Sequence, residues 1–179
     1  LTVEPDTAFA RQNVETAAEE DAVRQYDTLR ETLAGAGYEH YEISNFALHS
    51  RRSRHNSAYW TGAAYLGIGP SAHSYDGARL RRWNEQTLEA YIAGPAYQSE
   101  TLSDDELWDE YLMTRLRTAE GVSETEIAPR FGARRLQEFE KCAAGPLAAG
   151  TLVKIDGNYV IPSEKVFVSD GIICSLVAK

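Results

Sequence analysis

The sequence predicts an α/β chain whose second half is mostly helical. Three observations carry this. A strand–helix–strand order opens the chain. A short apolar run, Tyr65-Leu66-Gly67-Ile68-Gly69, ends in the small-residue turn Pro70-Ser71-Ala72. From Ser103 onward helical stripes dominate, and one hairpin interrupts them.

Leu1-Thr2-Val3-Glu4 is β-prone and is stopped by Pro5. Asp6-Thr7 can cap a short helix. Between Ala18 and Ala36 the apolar residues Ala22, Val23, Tyr26, Leu29 and Leu33 recur every three or four positions, a helix stripe. Glu19, Glu20 and Asp21 suit its positive N-terminal end, and Gly35 and Gly37 suit its stop. Tyr38 to Ser44 reads as the next strand, so a parallel unit is expected. Phe46 to Arg54 is a loop holding Arg51, Arg52 and Arg54, either solvated or set to meet carboxylates or a phosphate.

Tyr65 to Gly69 reads as a short buried strand whose glycines permit close backbone approach. Arg79 to Trp83 alternates like an edge strand. Gln86 to Ala93 is a short helix ended by Gly94-Pro95, and Tyr97 to Leu102 is extended. Ser103 and Glu106 form a capping-box pattern ahead of Leu107, Trp108, Tyr111, Leu112 and Leu116. Ser123 and Glu126 repeat it ahead of Ile127 and Phe131. A third helix, Arg134 to Ala149, should bend or split at Gly145-Pro146. Asp156-Gly157-Asn158 between two apolar runs signals a hairpin. Val166 to Val177 is a last apolar helix. Helix, helix, helix, hairpin, helix resembles a winged-helix module.

A net charge of −9 and a pI near 5.0 argue against a general nucleic-acid binder, which needs Lys and Arg for the phosphates. No stretch reaches the ~18–20 apolar residues of a membrane span, and no signal peptide is visible. Cys142 and Cys174 stand far apart, as neither a disulfide framework nor a paired metal site. Both are expected as buried structural thiols, with the cytoplasm as compartment. The chain opens at Leu1 inside a strand, and so reads as a piece of a longer protein.

The chemistry concentrates in Ser53-Arg54-His55-Asn56-Ser57-Ala58-Tyr59-Trp60. His55 is the leading candidate ligand for a heme iron, which is most often held by histidine. Asn56 stands beside it as a holder for the other ring nitrogen, and Tyr59 and Trp60 could stack on a flat macrocycle. His73 follows the apolar run, where α/β proteins place ligands. His40 and His49 receive no role. Glu4 at a strand end and Glu42 in the next strand could share one mouth, where a strand-end carboxylate is in principle a general-base candidate. Zincin, nucleophile-elbow, Walker and dinucleotide fingerprints are all missing from the sequence.

At His55-Asn56-Ser57-Ala58-Tyr59-Trp60 the chain resembles the C-terminal half of the HemW group of radical S-adenosylmethionine (SAM) proteins. These are heme chaperones related to the oxygen-independent coproporphyrinogen III oxidases. Leu1 to Pro5, Tyr38 to Ala47, Arg54 to Trp60, Tyr65 to Ser74 and Arg82-Trp83-Asn84 carry the likeness in the family's order. After Ser103 it is looser, resting on Thr118 to Val122 and Ser169-Asp170-Gly171.

The resemblance implies the last strands of a partial TIM-like barrel in residues 1–95 and a helical, winged-helix-like domain with a small hairpin in residues 96–179. It implies heme binding at His55, as the iron ligand, with Asn56, Tyr59 and Trp60 around it. Thr2 and His73 fall near positions that border SAM in the oxidases. Partners implied are heme or porphyrin and heme-acceptor proteins, without nucleic acid. Peripheral membrane association and dimerisation of the parent are left open.

Radical SAM chemistry needs three cysteines in a C-x-x-x-C-x-x-C loop for a [4Fe–4S] cluster, and this chain has only two cysteines in all. The cluster and most of the SAM site are therefore expected upstream, with no catalytic residue in this chain and the parent's status as an enzyme left open. Three readings follow: a heme-delivering chaperone half, an oxidase half that decarboxylates propionates, and a non-catalytic winged-helix interaction module.

Overall fold

The computed structural model describes residues 3–94 and 97–177. The chain is α/β, and its two halves fold differently.

The first half is thinly packed. A short helix α1 (Ala8–Arg11), capped by Thr7, precedes α2 (Glu19–Gly35). Tyr26 on α2 donates from its hydroxyl to the Ile43 carbonyl at 2.8 Å, which seats the helix on β1 (Tyr38–Glu42). β1 turns straight back into β2 (Asn45–Leu48) as an antiparallel hairpin. The expected parallel unit is not formed: every strand pairing among the described residues is antiparallel. The antiparallel hairpin is closed locally. The buried Glu42 carboxylate accepts from Ser44 N–H at 3.1 Å and from the Asn45 side-chain amide at 2.5 Å, fixing the reversal. Val3 and Glu4 lie in no strand, and the start of that expected strand falls outside the described residues. Glu42 is engaged by its own turn and by Arg117, at 3.6 Å.

Next come α3 (Arg54–Trp60), β3 (His73–Tyr75), β4 (Leu80–Asn84), α4 (Leu88–Ala93) and β5 (Tyr97–Thr101). The sheet order is β3-β4-β5, so the arginine-rich strand is central rather than at an edge. Its long side chains reach off the sheet instead of needing an open edge: Arg81 pairs with Glu110, and Arg82 lies over the Tyr97 ring. The division expected at 95/96 falls inside this sheet, because β5 pairs with β4 along its whole length.

The Tyr65–Gly69 run is not a buried strand. Tyr65 makes one bridge to Tyr75, and Leu66 and Ile68 are 79% and 81% exposed. An apolar run is buried only when something covers it, and the described residues do not. The close approach expected of its glycines is found at Gly67, whereas Gly69 faces open space. A Cβ on Gly67 would sit 2.1 Å from the His73 carbonyl oxygen, so only glycine fits there.

The core belongs to the second half. It is built from α5 (Asp104–Arg115), β6 (Val122–Ser123), α6 (Glu124–Phe131), α7 (Ala133–Ala148), the hairpin β7 (Val153–Ile155) and β8 (Asn158–Val160), a 3-10 turn (Ser163–Val168) and α8 (Ser169–Leu176). Trp108, Leu112, Ile127, Phe139, Leu152, Tyr159 and Leu176 are buried together. Each such side chain contributes about 1.5–3 kcal/mol of burial. α5 opens with the full capping box expected of Ser103 and Glu106. At α6 the repeat of that pattern does not form: Ser123 Oγ pairs with Thr125 Oγ1, and Glu126 accepts from the Tyr111 hydroxyl at 3.2 Å. α7 runs unbroken through Pro146, which lies in its last turn and removes only a terminal bond. The hairpin turns on Asp156 and Gly157, both at positive φ (50° and 81°), as a two-residue loop of this kind requires. β8 also pairs with β6, giving the order β6-β8-β7. The last helix begins as the 3-10 turn, three residues ahead of its expected start.

Both cysteines are exposed, not buried. On α7, Phe139 and Ala143 face the core four residues apart, which turns Cys142 outward. On α8, Ile172, Ile173 and Leu176 take the inner face and leave Cys174 outside. No helix among the described residues is long and apolar enough to cross a membrane.

Backbone hydrogen bonds at one seam help to join the halves. Ile43 N–H donates to the Arg117 carbonyl at 3.1 Å, and Ala119 N–H donates to the Tyr41 carbonyl at 3.1 Å. Arg52 pairs with Glu39 and Glu120 across the same seam, so this member of the arginine loop meets carboxylates. That contact holds Glu39 below its ordinary carboxylate pKa, chiefly through the hydrogen bond from Arg52.

Candidate functional site

The helix α3 exists because Ser53 caps it: the Ser53 hydroxyl accepts from Asn56 N–H at 3.3 Å. The Tyr41 hydroxyl in turn accepts from Ser53 N–H at 3.3 Å, tying the cap to the β1 hairpin. With one turn every 3.6 residues, the four expected ligand-side residues divide between two faces. His55 and Tyr59 share the outer one, where His55 is exposed and Tyr59 is 39% exposed. Their rings meet edge to face at 5.1 Å. Tyr59 continues the stack to Tyr65 at 4.7 Å, and Tyr65 to Tyr75 at 6.2 Å.

Asn56 and Trp60 share the inner face, both half-buried. Trp60 lies beneath Arg117, whose guanidinium carbon is 5.5 Å from the ring centroid. The Trp60 indole nitrogen is buried and meets no acceptor among the described residues. No hydrogen bond joins Asn56 to His55 there, since neighbours on a helix point about 100° apart.

His73 is not in a turn. It opens β3, exposed, with its ring stacked on Trp83 at 5.8 Å. Thr2 lies outside the described residues. His40 stacks on Phe46 at 4.2 Å in the first hairpin, away from α3.

Behind Tyr59 lies a cavity of about 180 Å³ between the end of α3, the Tyr65–Tyr75 bridge and α5. Arg81, Arg115, Arg130, Glu110 and Tyr111 join the aromatic residues on its walls. Arg81 pairs with Glu110 at 2.5 Å. Arg130 lies over the Tyr111 ring at 4.8 Å. Burial, with the Glu126 carboxylate beside it, pushes the Tyr111 hydroxyl up to about 12. Burial first, and then the charge of Glu110, also raises Tyr75. Both phenols therefore stay protonated donors at neutral pH. Sequence reasoning missed this cavity. Its arginines come from β4, α5 and α6, separated by up to 49 positions, and no short motif announces them.

No family model matches the chain. Comparison with known proteins nevertheless finds relatives. It is 34% identical over 157 residues to the heme chaperone HemW of Mycobacterium tuberculosis (strain CDC 1551 / Oshkosh), covering 82% of this chain and 39% of that protein. It is 30% identical over 142 residues to the heme chaperone HemW of Bacillus subtilis, covering 74% and 37%. It is 33% identical over 140 residues to the mitochondrial radical S-adenosyl methionine domain-containing protein 1 of Danio rerio, covering 69% and 32%. The chain thus spans about two fifths of the length of the HemW relatives it matches. Among solved structures it superposes on the Escherichia coli coproporphyrinogen III oxidase HemN, described as a radical SAM enzyme, with a TM-score of 0.62 and 17% identity, over 85% of this chain and 40% of that one.

The relatives define the class, part of a radical SAM protein, and the fold agrees with it. Within that class the chain belongs to the HemW-type family, corresponding to its C-terminal half.

Proposed function

We propose that this chain carries the heme-binding element of a radical SAM heme chaperone, with His55 as the iron ligand. The single observation behind this is the pairing of His55 and Tyr59 on the exposed face of a capped helix. An accessible imidazole with a flat aromatic ring one turn away fits the donor chemistry of a heme iron. The names of the HemW relatives point the same way. Trp60, on the other face, serves in this reading to fix the helix rather than to stack on the macrocycle. Asn56 contributes its backbone N–H to the cap.

Heme is cargo here, bound for delivery to acceptor proteins. The [4Fe–4S] cluster and SAM belong to the rest of the parent. Cys142 and Cys174 lie on different helices and cannot supply three thiolates. Thr2 and His73 keep the proposed place near SAM, and no catalytic residue is assigned to this chain. The same reading takes the first half as the end of a partial barrel and the second as a winged-helix-like domain. The order α5-β6-α6-α7-β7-β8 supports that likeness. In this reading the border of the two is drawn behind Thr101, so that the paired strands β4 and β5 stay together. Work in the cytoplasm belongs to this reading too.

Heme titration of the full-length parent followed in the Soret band, wild type beside His55→Ala, tests the proposal. Coproporphyrinogen turnover is assayed on the same samples. Stoichiometric binding that disappears in the variant, without turnover, is the expected result. Turnover that survives the variant moves the protein to the oxidases, the class of its structural neighbour, and leaves His55 an ordinary histidine.

A further inference from the structure

We infer that the cavity behind Tyr59 seats a carboxylate arm of the ligand, held by Arg115 and Arg130. The inference rests on the heme reading above and names the second point of attachment.

The charges decide it. Of the three arginines on the cavity walls, Arg81 is already neutralised: it meets Glu110 at 2.5 Å and Glu100 at 3.5 Å. Arg115 and Arg130 form no ion pair among the described residues. With Arg81 and Glu110 cancelling, the charged side chains left on the walls are Arg115 and Arg130, while the Glu126 carboxylate beside Tyr111 accepts from its hydroxyl and pairs with neither. The Arg115 Nε is buried and meets no acceptor among the described residues, a donor left over once the fold is complete. Arg130 is parked over the faces of Tyr111 and Phe131, at 4.8 and 5.1 Å, and can turn from them to an anion.

Size decides the rest. About 180 Å³ is well below the ~300–1,000 Å³ of a whole-ligand pocket, and so admits a side arm but no macrocycle. The walls fit such an arm. Tyr59, Tyr65 and Tyr75 offer apolar ring surface for its methylenes, and the guanidinium groups bind its carboxylate. Tyr59 lines the cavity and touches His55, so a planar ligand lying on the outer face of α3 has this cavity at its rim.

The test uses the full-length parent and three probes: iron protoporphyrin with free carboxylates, its dimethyl ester, and the iron-free diacid porphyrin followed by fluorescence. The wild type is compared with Arg115→Gln, Arg130→Gln and His55→Ala, with thermal melts run on each. Wild type should bind the diacid more tightly than the ester. Each arginine variant should weaken diacid binding about tenfold and leave the ester unchanged. The iron-free diacid should show the same arginine dependence. Arg130 is exposed, so its variant should fold even if Arg115→Gln melts early. Equal binding of diacid and ester by the wild type overturns the assignment, as does an equal loss of both in the Arg130 variant. If His55→Ala leaves iron porphyrin binding intact while the diacid preference persists, the iron-ligand reading fails and the carboxylate seat stands.

Discussion

Arg117 lies over the ring of Trp60, 5.5 Å from its centroid, and reaches the buried Glu42 carboxylate at 3.6 Å. One side chain from the loop after α5 thus locks the back of the motif helix to the end of β1. The face bearing His55 and Tyr59 is left outward because Trp60 is held inward. The exposure of the candidate ligand is a consequence of packing on the opposite side of the same helix.

Removing Arg117 should cost more than an ordinary surface change. Glu42 keeps its two turn hydrogen bonds but loses its cation, and Trp60 loses its cover. Arg117→Ala should destabilise the protein by about 2 kcal/mol, below the full cost of breaking a buried pair because the contact is long and partly solvated. Urea unfolding measures it. Adding Glu42→Gln should return part of the loss, and strictly additive effects in that double-mutant cycle would remove the proposed coupling.

His55→Ala should separate binding from stability. His55 is exposed, and its contact beyond the helix backbone is the edge of Tyr59. The variant should unfold within about 0.5 kcal/mol of wild type. A large drop in its melting temperature would mean that any loss of ligand comes from a damaged fold.

Gly121 is the glycine the core cannot exchange. It sits at φ +66°, and a Cβ there would lie 2.1 Å from the Tyr159 carbonyl oxygen on β8. Gly121→Ala should cost roughly 3 kcal/mol, from left-handed strain and displacement of the β6–β8 pairing. Gly62→Ala, at φ +70° with open space around it, should cost about 1 kcal/mol. Similar values for the two would show that β8 yields easily.

The α5 cap should give the second half an acid-sensitive component. Ser103 N–H and its hydroxyl donate to Glu106 at 2.8 and 2.7 Å, and these bonds, the backbone one first, lower the Glu106 pKa. A carboxylate with a lower pKa folded than unfolded stabilises above its unfolded value, about 4.3, and that contribution fades as pH falls through the folded one. Glu106→Gln should therefore flatten the fall in stability below about pH 4 and matter most at neutral pH. Ser103→Ala should cost about 1 kcal/mol at pH 7. Thermal melts from pH 3 to 7 check both.

The sequence by itself determined what lies within reach of a turn or two of chain. The stripe of α2, the Ser103 cap, the Asp156-Gly157 turn and the run His55 to Trp60 are all written in neighbours a few positions apart, because helix faces, caps and two-residue loops are closed by contacts at that range. Tertiary structure decided the rest. Whether Tyr65–Gly69 is buried depends on what covers it, and whether Arg79–Trp83 is central depends on β5 arriving from further along the chain. The direction of Cys142 and Cys174 follows from which face of α7 and α8 the core takes. The two faces of α3 were implicit in its period, but only Arg117, 57 positions beyond Trp60, settled which one turns to solvent. The cavity behind it gathers arginines from three elements, and such an assembly leaves no local trace because its members meet only after the chain has folded.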